Sequence, residues 1–217
     1  MVASPHMLAG SLIAVLVKKI FIGRKWMNKK LLMVFVVCSV SFFCHFLLDA
    51  IPHKDYAIKS EFLFLSSVYL LIDMMIGSCI ILFVFREPLM HFLRVVVSVN
   101  VSKIEVADNL KLASPFFLAS LGVFFNILPD VFMVLKRILG MDFYILSQLE
   151  IFHNAMHSNI FPDLFWGWAS QISFSFMVVV LLVRLVFKVE NKIYSWLAVE
   201  EAERILSEVS QDREIEK

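Results

Sequence analysis

Charge is what this sequence has least of. Only 18% of its 217 residues are Asp, Glu, Lys or Arg, while 60% are hydrophobic and 22 are phenylalanine. A soluble chain of this length carries more charge and gives each helix a polar face. Cysteine is also scarce. Cys38, Cys44 and Cys79 all lie inside apolar runs and form no CxxC pair, so they read as small packing residues with no disulfide framework. Net charge is only +1, which offers no ground for a nucleic-acid or strongly acidic partner. There is no Gly-x-Ser-x-Gly, Walker or Rossmann glycine pattern, which leaves serine hydrolase, ATPase and dehydrogenase functions little support. The N-terminal "MVASPHMLAG" lacks a basic n-region and a small-residue cleavage site, so no removable signal peptide is expected. No repeat or low-complexity stretch stands out.

What the sequence does have is apolar runs long enough to cross a bilayer. Five are expected to span: Met7 to Gly23, Leu31 to Ile51, Phe62 to Phe85, Ala113 to Leu135 and Ala169 to Phe187. The first opens on Ser4-Pro5, a capping residue followed by proline at the first helical position, and is interrupted by Lys18 and Lys19, whose stems can snorkel. Pro52 ends the second run, and Pro129 lies in the last third of the fourth. The long connection before the fifth predicts a short interfacial helix, with Trp166 and Trp168 marking the membrane boundary. After residue 189 the chain turns polar, and "WLAVEEAERILSEV" reads as an amphipathic helix. The expected fold is therefore all-α and polytopic: a helical transmembrane domain over 1–189 and a polar tail over 190–217.

Lys and Arg beside the runs alternate rich, poor, rich, poor, rich. Lys18, Lys19, Arg24, Lys25, Lys29 and Lys30 crowd the first connection, whereas Lys54 and Lys59 are alone in the second. The positive-inside rule then predicts an N-terminus outside and a C-terminus in the cytoplasm.

This topology gathers the polar residues at one face. His6 falls at the outer end of the first run. His45, Asp49 and His53 are spaced i, i+4, i+8 at the outer end of the second. Asp130 is about 17 residues into the fourth run, near its outer end, and His153 and His157 lie in the outer connection. His91 alone falls on the other side. A charged Asp within a span costs up to ~2.5–3.5 kcal/mol at the membrane centre, and two nearby carboxylates repel unless a cation or proton sits between them. A divalent metal removes both penalties. His and carboxylate at i, i+4 share a helix face and reach one ion, as in "HFLLD" and "HNAMH". Each residue also has a plainer role open to it. His45 and Asp49 could bond each other, His53 could be an interface residue, Asp130 could cap backbone opened by Pro129, and His6 could be a helix-start residue. Asp73, mid-way along the third run, could support the site or join two helices by a hydrogen bond.

At these residues the sequence resembles the predicted membrane-bound metal-dependent hydrolases. "HMLAG" (His6, Gly10), "HFLLD" (His45, Asp49), "ILPD" (Pro129, Asp130) and "HNAMHS" (His153, His157, Ser158) are similar to that family's four motif islands. The sequence also departs from that pattern. Phe132 occupies the position of a second acid after Pro-Asp, three residues without an Arg-Gly rather than four with one separate the paired histidines, and the order of the islands is rearranged. The resemblance implies a small multi-span protein of the bacterial inner membrane. From the placement of the residues, His45, Asp49, His153 and His157 are expected to hold a divalent ion such as zinc, with His6 a ligand or supporting group and Asp130 a general base or further ligand. The position at the outer headgroup level, and no motif, points to an amphiphilic, lipid-like ester, phosphoester or amide as substrate. The competing expectations are a non-catalytic metal-binding or proton-carrying protein, and a structural protein whose His and Asp only join helices.

Overall fold

The computed structural model describes residues 3–22, 30–50, 63–97, 103–139, 144–156 and 164–215. They form seven helices and, among the described residues, no strand: α1 Ala3–Phe21, α2 Lys30–Asp49, α3 Leu63–Val84, α4 Arg86–Val97, α5 Lys103–Leu139, α6 Tyr144–Met156 and α7 Leu164–Ile215. Helices α1, α2, α5 and α7 are each long and apolar enough to cross a membrane, and α3 with α4 makes a further bent pair. The chain is an all-α, polytopic membrane protein, and its spans fall on the five apolar runs of the sequence.

Two boundaries differ from the sequence expectation. The fifth run and the polar tail are one 52-residue helix. No Gly or Pro occurs between Ala169 and Ile215, so nothing stops the helix where the surface turns from apolar to polar. Position 189 therefore marks a change of composition rather than a break in the helix. Helix α4 was not anticipated. It leaves α3 at an angle of 79°. Pro88 explains the bend, because it has no N–H to offer Val84 and its ring crowds the preceding turn. The ladder resumes with Leu89 N–H on the Phe85 carbonyl at 2.9 Å.

Helix α1 is the centre of the bundle. From Ala3 to Ser11 every residue is buried, with α2, α3, α5 and α7 around it. Small side chains allow this. Gly10 on α1 meets Gly122 on α5, and a Cβ on either would collide with the other's backbone. Between helices in lipid there is little hydrophobic driving force, so close backbone packing of this kind carries the association. The crossing is antiparallel: Ala14, beyond Gly10, joins Leu118 and the α2 residue Val37 in one cluster, while His6, before Gly10, meets Asn126.

The start of α1 lies deep. Asp73, mid-way along α3, accepts the Ser4 backbone N–H at 2.9 Å and the Ser4 hydroxyl at 2.7 Å. Ser4 therefore does not cap its own helix; a carboxylate from a neighbouring helix does, and it also meets the positive end of the α1 dipole. Of the two roles open to Asp73, the interhelical bond is the one observed. Gly77, one turn on, lets α1 sit close, since a Cβ there would stand 3.1 Å from Ser4 and Met7. Helix α3 begins at Leu63, about 15 Å of helical rise before Asp73.

Replacing Gly122 or Gly10 by Val should destabilise the bundle by about 1–3 kcal/mol or more through overpacking. Thermal unfolding in detergent measures this, with exposed Ser120→Ala as the unaffected control. Asp73→Ala should cost about 1–2 kcal/mol through the lost cap, and Asp73→Asn, which keeps an acceptor, should cost less.

Candidate metal centre

Helices α1, α2 and α5 each bring polar side chains to one buried point. His45 and Asp49 are one turn apart on the inner face of α2, and His45 Nε2 stands 3.0 Å from Asp49 Oδ2. From α1, His6 Nε2 approaches the other oxygen, Asp49 Oδ1, at 3.4 Å. From α5, Asp130 Oδ1 stands 3.5 Å from His45 Nε2. The two imidazole rings are tilted 46° to each other, 4.6 Å between centroids. The side chains of His45 and Asp49 have no exposed surface, whereas that of Asp130 is 28% exposed, so Asp130 is the member of the set that can be reached from outside.

Asn126 orders this group. Its Nδ2 donates to the Ser41 carbonyl at 2.8 Å, and a carbonyl can only accept. The amide oxygen must then face His6, whose Nδ1 lies 3.1 Å away. Nδ1 therefore carries a hydrogen and donates it, which leaves Nε2, directed at Asp49, as the nitrogen open to a metal. A ring fixed in this tautomer by its other nitrogen is the arrangement of a metal-ligating histidine.

One donor atom from each of His6, His45 and Asp49 lies within 4.8 Å of the other two. Around a tetrahedral ion, donors at usual bond lengths stand about 3.3–3.5 Å apart. The contacts of 3.0 and 3.4 Å from the imidazoles to Asp49 are close to that spacing. Charge points the same way. Two carboxylates face these imidazoles, and Asp49 is the last residue of α2, at the negative end of its dipole. A divalent cation balances both, and the residues present fit one.

The sequence-predicted residues divide as follows. His6, His45, Asp49 and Asp130 are brought together. His153 lies in α6, which packs beside the site through Phe152 and Phe46, ring centroids 4.9 Å apart; of His153 itself only the helix carrying it is described. His53 and His157 lie outside the described residues. His91 stands apart, between α4, α5 and α7, its ring nitrogens 2.9 Å from Asn109 Oδ1 and 2.8 Å from the Tyr194 hydroxyl. Sequence reasoning missed Asn126 and Ser41. Each left a signal: Asn126 is one turn before Asp130, and Ser41 is one turn before His45.

Comparison with protein-family models, with curated proteins and with solved structures returned no match.

Asn126→Leu should lower stability by about 1–3 kcal/mol, because it orphans His6 Nδ1, while the Ser41 carbonyl keeps its helical partner, the His45 N–H. Thermal unfolding of the variant in detergent reads this loss; an unchanged midpoint would remove Asn126 from the network.

Proposed function

We propose that this protein is a membrane-embedded, metal-dependent hydrolase of the kind its motifs resemble. Its substrate is an amphiphilic ester, phosphoester or amide, and its centre faces the extracytoplasmic side of a bacterial inner membrane. The observation that carries this reading is the convergence of His6, His45, Asp49 and Asp130 from three helices, with His6 held by Asn126 in the ligating tautomer.

His6, His45 and Asp49 hold the ion, and His153 and His157 are the further ligands expected from the sequence. When bound, a zinc-like ion supplies a water of lowered pKa and positive charge for the developing oxyanion. Asp130, partly exposed, takes the proton from the attacking water and returns it to the leaving group. The burial of His45 and Asp49 keeps bulk water from competing for the charges. The carrier alternative needs polar stations along a path through the membrane. Asp73, the mid-membrane station in that reading, is occupied in holding Ser4, which weighs against it.

Metal analysis of the protein purified in detergent tests the centre. About one equivalent of zinc-like metal is expected in the wild type, and loss of at least tenfold in occupancy in His45→Ala and Asp49→Ala. A metal-free wild type would leave a buried His–Asp ion-pair cluster and end the hydrolase reading. Asp130→Asn should retain metal and lose turnover of lipid-derived esters or phosphoesters by about 10²–10⁴-fold, the usual worth of a general base.

A further inference from the structure

We propose that the bond cleaved is the acyl ester of a membrane lipid, drawn into the centre from within the bilayer, rather than a phosphoester at headgroup level. This rests on the hydrolase reading above and names its substrate class.

The position of the centre along the helices carries the inference. Its α1 ligand, His6, lies two residues past Ser4, and Ser4 is bonded to the middle of α3. Helix α3 begins at Leu63, about 15 Å of helical rise before that level, so the centre lies along the span rather than at its end. On α5 the apolar sequence continues past Asp130 through Leu135, and the first charged residue is Lys136, about 9 Å of rise further on. Lys136 bonds Glu150 of α6 at 2.8 Å and Ser147 at 3.1 Å. That charged bridge between α5 and α6 belongs at the membrane boundary, and it sets the centre roughly 9 Å inside it. The lipid-facing neighbours of the ligands on α2 agree with this depth: Phe43 and Leu47 are each about two-thirds exposed and wholly apolar.

Lipid phosphates lie outside the hydrocarbon layer, and moving their charge inward by this distance is opposed by desolvation. An acyl ester is neutral, sits at the inner edge of the headgroup region and is attached to chains that already occupy the hydrocarbon. It reaches the level of Asp130 with little desolvation. In the step, the oxygen of water bonds to the acyl carbon and the acyl C–O bond breaks. The fatty acid keeps the hydroxyl, and the proton taken by Asp130 passes to the released glycerol oxygen.

Two measurements test this. First, zinc-loaded protein is reconstituted in palmitoyl-oleoyl phosphatidylglycerol vesicles and the products are read by mass spectrometry. Free fatty acid and lysolipid are expected, in at least tenfold excess over diacylglycerol and phosphatidic acid, and lost in Asp130→Asn. Diacylglycerol or phosphatidic acid as the main product would overturn the substrate class while leaving the hydrolase reading intact; no turnover at all would remove both. Second, a spin label is placed at Leu47→Cys in a background with Cys38, Cys44 and Cys79 replaced by Ala. Collisions with oxygen are expected to exceed those with an aqueous nickel chelate severalfold. Chelate access equal to that of a label on the polar tail at Ser207→Cys would put the centre at the surface and overturn the proposal, whatever metal the protein binds.

Discussion

The backbone contact between Gly10 and Gly122 sets the rest of the molecule. With no side chain on either residue, α1 lies against α5 at a distance that any Cβ would forbid. The antiparallel crossing then fixes what meets on either side of it. One turn along, toward the start of α1 and the end of α5, His6 meets Asn126. One turn the other way, Ala14 and Leu118 meet Val37 of α2 and close the apolar side of the same interface. The polar centre and the hydrophobic packing are thus two consequences of one contact, and this is why a helix with few bulky residues in its first half occupies the middle of the bundle.

A central helix whose first turn is buried has a problem there: backbone N–H groups with no water to bond. Asp73 answers it from α3, and its charge faces the positive end of the α1 dipole. Asp49 is in the opposite situation, at the negative end of α2, where a carboxylate is disfavoured. It is surrounded instead by His6 and His45. The two aspartates are both buried but have opposite electrostatic surroundings: one caps a helix, and the other sits among imidazoles.

Much of the candidate site was legible because its members sit at helical spacing on single elements. His45 and Asp49 share a face at i, i+4, and alternation of basic residues put His6 and Asp130 at the same end of the bundle. Asn126 was not read, although it stands in an apolar run one turn before Asp130. A single amide among Leu, Ile and Phe gives no sign of what it bonds, and its value lies in touching both Ser41 of α2 and His6 of α1. The sequence placed the site only coarsely, at the outer face of the membrane. Hydropathy finds where a span is, but the sliding of one span against another depends on contacts such as Ser4 with Asp73.

The sequence by itself determined the class of the protein and where its long apolar runs lie. Long uncharged runs have only one stable solution in lipid, the helix that satisfies its own backbone. It also determined which residues could share a helix face, since that follows from 3.6 residues per turn. Only the tertiary structure decided which helix is central, that α4 leaves α3 at a steep bend, that α7 runs unbroken through its change of surface, and which nitrogen of His6 carries its proton. Those outcomes depend on approach distances between segments far apart in the chain, and such distances are set by the absence of a Cβ or the reach of one side chain, which no local pattern of residues records.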